Sequence, residues 1–248
     1  MLTLIGTGHV FNIADPISFV IHRCWPDAVC VELDELRYRA LTADKDAVEA
    51  ELRKRGIDPE AIKKDGDSGS AVFRRNREYQ EKIAKENGVN PATDMIVSIG
   101  AAKSLGADIF CIDKDVHETL DRMWAEMGTA EKIRYRCSGI LDRFGGKKRS
   151  DATQAEYYDD ESRYLDDFRK KYPAMTRVLI DERNEFMAKK IEEVARSHER
   201  TVAVVGDGHI QGLDELMPKD IERRIVRLRD LSDPARVEAL KREYWEAE

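Results

Sequence analysis

The chain has 248 residues, 42% hydrophobic, 37% charged and 7% aromatic, which is enough apolar material for a sizeable core and excludes a disordered chain. Its 49 acidic residues outnumber 42 basic ones, and the net charge of −7 argues against a dedicated nucleic-acid binder. Cys24, Cys30, Cys111 and Cys137 form no CxxC pair, so a disulfide framework or a cysteine zinc site is not expected.

The start, Met1-Leu2-Thr3-Leu4-Ile5-Gly6, has no basic leader and runs directly into Gly6-Thr7-Gly8-His9, so no signal peptide is expected. No apolar run reaches the ~18–20 residues that span a bilayer. A cytoplasmic protein without a membrane segment is the expectation.

In chain order, the first apolar run is Leu2 to Ile5. Pro16 to Arg23 has helical character and leads to a second run, Ala28 to Leu33. Helical spacing follows over Asp34 to Leu41, Asp44 to Arg55, Ala71 to Lys85 and Pro91 to Leu105, with a polar Gly/Ser loop over Asp65 to Ser70. The third run is Asp108 to Ile112, followed by a helix over Asp115 to Met127. Residues 128 to 173 read as a charged helical insertion broken near Gly145-Gly146. From Glu131 to Arg149 it carries seven basic residues and two acidic ones, and an acidic stretch follows over Glu156 to Asp167. A helix over Arg177 to Ser197 leads to the fourth run, Thr201 to Val205. Arg224 to Leu228 mixes Ile and Val with Arg, as an edge or antiparallel strand would. Ser232-Asp233-Pro234 is a helix start signal, so a terminal helix is expected from about 233 to 248.

The apolar runs lack period-two alternation, which suits strands covered on both faces of a parallel sheet. The expected fold class is therefore α/β, a mostly parallel central sheet flanked by helices, with one charged helical insertion. Because strands occur at both ends of the chain, residues 1–248 are read as one domain.

Ligands of open α/β sheets collect beyond the carboxyl ends of the strands. There this sequence places Gly6-Thr7-Gly8-His9, then Glu32 with Asp34 and Arg37, then Asp113, then Gly206-Asp207-Gly208-His209. The first and last segments echo each other. Neither is a dinucleotide turn: Phe11 stands where the third glycine belongs, and three residues separate Gly208 from Gly212. Asp113 alone could be a helix cap near Asp115. His22 and His198 read as structural or surface residues. Asp181-Glu182-Arg183-Asn184-Glu185 is a polar cluster on the helix before the fourth strand.

These segments together resemble the TraB family, which includes the PrgY and TIKI groups. The resemblance rests on Gly6-Thr7-Gly8-His9, on Cys30-Val31-Glu32-Leu33-Asp34 through Arg37-Tyr38, and on Asp113 with Thr119-Leu120-Asp121-Arg122. Asp181-Glu182-Arg183-Asn184 and Val204-Val205-Gly206-Asp207-Gly208-His209 complete it, in the family's order. It implies a fold similar to the erythromycin-esterase and ChaN-like superfamily. It also implies a hydrolytic centre built on the two GxxH histidines and acidic residues. TIKI proteins are described as divalent-metal-dependent proteases, PrgY proteins are associated with pheromone inactivation or sequestration, and erythromycin esterases need no metal.

The expected function is hydrolysis of a peptide or related amide or ester bond, assisted by a divalent metal such as Mn²⁺, Co²⁺ or Zn²⁺. His9, His209 and Glu32 are the expected metal ligands, and Glu32 or Glu182 the general base. Arg183 or Arg37 would stabilise the oxyanion. Asp113 and Arg122 would orient this set, and Gly6, Gly8, Gly206 and Gly208 would shape the turns. A metal-free version uses His9 or His209 as the base. A peptide- or anion-binding protein without catalysis is the alternative, its arginines clamping a carboxylate. The expected partner is a peptide or small molecule, and a homo-oligomer is compatible with this reading.

Overall fold

The computed structural model describes residues 1–8, 11–42, 53, 92–135 and 161–246. Five strands, β1 (Leu2–Thr7), β2 (Ala28–Val31), β3 (Asp108–Cys111), β4 (Thr201–Gly206) and β5 (Arg223–Val226), form one sheet in the order β3-β2-β4-β1-β5. All four pairings are parallel, with Ile5 beside Val204 and Val31 beside both Val204 and Cys111. The α/β fold class expected from the runs is the one observed. The Arg-bearing fifth strand lies at the edge, as expected, and runs parallel to β1.

Side chains on successive strand positions enter two different cores, which is why the strand sequences show no polar alternation. Ile5, Val29, Val31, Val202, Val204 and Val226 face one layer, made by α1 (Ala14–Cys24), α3 (Thr93–Leu105), α9 (Leu228–Ser232) and α10 (Pro234–Glu246). Leu2, Leu4, Ala28, Cys30, Ala203 and Val205 face the other, made by α7 (Glu182–Ser197) and α8 (Asp207–Leu216). Burial in this second layer pushes the Cys30 thiol up to about 12. A third, smaller core of Leu120, Met123, Met127, Tyr172, Met175 and Val178 joins α4 (Val116–Glu126) to α6 (Pro173–Thr176) and the segment after it.

The remaining described helices are α2 (Glu35–Thr42) and α5 (Glu161–Lys171). Two helix starts are capped by aspartate, the second at the expected Ser232-Asp233-Pro234 signal. Asp115 accepts from the backbone N–H groups of His117 and Glu118, and Asp233 accepts from those of Ala235 and Arg236. The expected continuous α-helix over Arg177 to Ser197 is instead interrupted: Arg177–Asp181 is a π-helical turn, in which Glu182 N–H reaches back to Arg177 O. The helix expected over 71–85 lies outside the described residues, as do Pro91, Cys137 and the loop 65–70. Of the helix over 44–55 only Arg53 is described, and of the insertion only 128–135 and 161–173.

Strand order sets the place of the site. The connection leaving β2 runs toward β3, while the one leaving β4 runs over β1 toward β5. Between neighbouring β2 and β4 the outgoing chains diverge, which is where open α/β sheets form their ligand crevice.

Candidate functional site

Glu32 leaves the end of β2 and is 8% exposed. A buried carboxylate needs partners. Its Oε2 accepts from Gly206 N–H at 2.5 Å, at the N-terminus of α8, where the unpaired amides and the helix dipole favour an anion. Its Oε1 accepts from Arg183 Nη2.

Arg183 is the centre of the arrangement. Nε and Nη2 donate to the two oxygens of Asp113 at 2.9 and 2.8 Å, and Nη1 donates to Leu179 O at 3.0 Å. Nη1 also lies 3.1 Å from His209 Nε2. With Glu32, these partners take up all five N–H donors of the guanidinium. Leu179 belongs to the π-helical turn, so the helix irregularity supplies a carbonyl to the arginine that follows it. Burial would lower the Arg183 pKa, but the charge of Glu32 and the hydrogen bonds donated to Asp113 outweigh it and hold the pKa above the ordinary value.

Asp113 is not a helix cap; Asp115 fills that role. Asp113 is a buried acceptor shared by two arginines, with Arg37 Nη2 on its Oδ2 at 2.5 Å and Lys114 N–H on its Oδ1 at 2.8 Å. Arg37 Nε in turn donates to Asp34 at 2.9 Å. Three carboxylates thus face two guanidiniums, and the chain of contacts runs from Asp34 through Arg37, Asp113 and Arg183 to Glu32 and His209.

His209 sits in the first turn of α8 and is 7% exposed. Its Nδ1 lies 2.7 Å from Asn184 Oδ1, and its Nε2 lies 3.6 Å from Glu32 Oε1. Asn184 reaches it because α8 has Gly212 at the contact: a Cβ there would meet Asn184 Nδ2 at 2.2 Å.

The structure brings Glu32, Arg37, Asp113, Arg183 and His209 together. Glu182 and Arg122 pair with each other instead, at 2.9 Å, with Lys114 Nζ 3.7 Å from Glu182. His9, the expected partner of His209 in metal binding, lies outside the described residues. Among the described residues no three His, Cys, Asp or Glu side chains are grouped to hold a metal. Arg183 contacts both His209 and Glu32, whose Nε2 and Oε1 lie 3.6 Å apart. His22 bridges Ser18 O and Ser104 Oγ, joining α1 to α3, in keeping with a structural role.

Three positions with no role expected from the sequence also belong to this region. Asn184 was one of five polar residues on a helix. Asp207 is 5% exposed and is held by Arg227 at 2.9 and 2.8 Å and by Leu228 N–H at 2.8 Å. Arg227 follows β5 directly, so the strand-end rule applied to the fifth strand would have found it. Asp207 Oδ1 fills the space beside Gly6, where a Cβ would come within 2.1 Å of it. The two glycine turns are therefore in direct contact, one aspartate of the second covering the first glycine of the first.

Two glycine turns stand at the ends of adjacent β1 and β4, with Glu32, Asp113 and Arg183 gathered beside them. The TraB/PrgY/gumN family profile matches residues 1–222. This chain belongs to the TraB/PrgY/gumN family. It is also 27% identical over 226 residues to an uncharacterized protein of Methanocaldococcus jannaschii, a match covering 87% of this chain and 53% of that protein. The chain thus spans about half the length of that relative. No helix among the described residues is long and apolar enough to cross a membrane.

Proposed function

We propose that this TraB-family chain hydrolyses a peptide or related amide or ester bond, with His209 as the general base. The observation that carries this reading is a buried histidine held at both ring nitrogens, in the β2/β4 crevice, beside a fixed arginine and a buried glutamate.

Water would take the place of the Arg183 N–H at Nε2. The histidine then accepts the water's proton as the oxygen attacks the carbonyl carbon. The Nη1 hydrogen released from Nε2 is left beside the attacked carbonyl, where it donates to the oxyanion. The imidazolium formed faces Glu32 Oε1, 3.6 Å from Nε2 in the resting site, and this carboxylate balances its charge. In the second half the imidazolium returns the proton to the departing amine or alcohol. Glu32 and Asp113 hold the arginine in place throughout, and Arg37 reinforces Asp113.

The proposed step uses no metal, since Arg183 already contacts both His209 and Glu32. Its test is turnover of a panel of peptides, amides and esters by the purified chain, with chelator and then with added Mn²⁺, Co²⁺ or Zn²⁺. We expect turnover that survives chelation and falls by about 10²–10⁴-fold in His209→Ala. A strict metal requirement would overturn the metal-free form. Peptide binding that survives His209→Ala, with no turnover by the parent protein, would replace hydrolysis with sequestration.

A further inference from the structure

We infer that Asn184 is a positioning residue that, together with Arg183, holds His209 as the Nδ1–H tautomer, so that the Nε2 lone pair faces the crevice. The catalytic use of that lone pair rests on the hydrolytic reading above. The tautomer itself rests on geometry alone.

Two consecutive residues of α7 hold the two nitrogens of one ring. Arg183 Nη1 lies 3.1 Å from Nε2, and Asn184 Oδ1 lies 2.7 Å from Nδ1. A guanidinium has only donors, so Nε2 must be the acceptor of that contact. An N–H at Nε2 would point one donor at another. The ring proton of neutral His209 therefore sits on Nδ1, and Asn184 must present its oxygen there. The same conclusion follows whichever way the amide is first assigned, because Arg183 admits only one arrangement. The opposite end of the amide packs against Gly212, where a Cβ would come within 2.2 Å of Nδ2. Gly206 backs the imidazole, 3.7 Å from its Cδ2 by the same measure. Asn184 and His209 are 5% and 7% exposed, so water does not readily replace the amide oxygen.

A histidine free in solution prefers the other tautomer, with the proton on Nε2 and the lone pair on Nδ1. Left to that preference, His209 would offer the crevice an N–H in place of a base. The Arg183 donor at Nε2 and the buried Asn184 acceptor at Nδ1 together reverse it. The π-helical turn before α7 contributes as well, since it brings Leu179 O to Arg183 Nη1 and so fixes the other donor of that nitrogen.

The test is a long-range ¹H–¹⁵N spectrum of the full chain labelled at histidine, taken at one neutral pH, with His209 assigned by its loss in His209→Gln. The expected wild-type spectrum has a pyrrole-like Nδ1 and a pyridine-like Nε2. Asn184→Ala should move His209 toward the Nε2–H form, and Asn184→Asp, which keeps an acceptor oxygen, should leave the proton on Nδ1. If Asn184→Ala does not fold, Gly212→Ala displaces the same amide and should produce the same shift. An Nε2–H ring in the parent protein would overturn the inference, as would a spectrum unchanged by Asn184→Ala or, in its place, by Gly212→Ala. No substrate is needed, so a chain without turnover can still have the tautomer, and failure of one reading is distinguishable from failure of the other.

Discussion

Arg183 is the residue on which the buried charges depend. Its side chain is 16% exposed and balances Glu32 at 8% and Asp113 at 3%, both of which would be left partly unpaired without it. Removing one partner of a buried ion pair costs about 3–5 kcal/mol, because the remaining charge has lost its water without regaining an equivalent. Arg183→Met is therefore expected to lower unfolding free energy by about that amount, read as a fall in urea midpoint with an unchanged slope. A midpoint within experimental scatter of the parent would remove Arg183 from the centre of the site. Arg183→Lys should not restore stability, since one ammonium cannot reproduce five directed N–H bonds to Glu32, Asp113, Leu179 and His209. The carboxylates and the arginine were legible as strand-end and helix residues. Their mutual pairing was not, because Glu32 and Arg183 are separated by 151 positions.

At the scale of elements, the two glycine turns behave as one unit. Asp207 opens α8, bonds Arg227 after β5, and lies over Gly6 at the end of β1. Gly6→Ala would drive a methyl group into that carboxylate and toward Ile210, whose Cγ1 lies 3.0 Å from the added carbon. Overpacking of this kind costs about 1–3 kcal/mol, and at this chain length each kcal/mol shifts the thermal midpoint by about 2–4 °C. A lowered midpoint in calorimetry is expected, and an unchanged one would mean that the turns move independently. The interruption of the long helix at Arg177–Asp181 belongs to this scale too. Its sequence has ordinary helical spacing, and the π-helical turn arises where the chain also packs Val178 and Met175 into the third core.

Across the whole molecule, the sheet joins segments far apart in the chain, and its lower edge is tied by polar contacts. Asp27, just before β2, accepts from the backbone N–H groups of Glu199 and Arg200 at 3.1 and 3.0 Å, just before β4. Against the effect of burial, which would raise it, these bonds hold the Asp27 carboxyl below the usual carboxylate range. A depressed folded pKa stabilises the protein above the unfolded value, and this contribution disappears as pH falls through the folded value. Urea midpoints measured downward from about pH 5 should decline more steeply for the parent than for Asp27→Asn. Parallel declines would show that this tie contributes nothing to acid stability.

What the sequence determined by itself was local: strand-length apolar runs without alternation, a helix start signal at Asp233, and polar residues where strands end. Those follow from backbone preference and from the need to bury apolar side chains, both of which act within a few residues. It also carried the family, through the order of its motifs. Only the tertiary structure decided that β4 inserts between β1 and β2, which puts Glu32 against Gly206 and His209. The partners of Arg183, the contact of Asp207 with Gly6 and the role of Asn184 were likewise fixed there. Each depends on pairing and packing between segments whose separation along the chain says nothing about their distance in space.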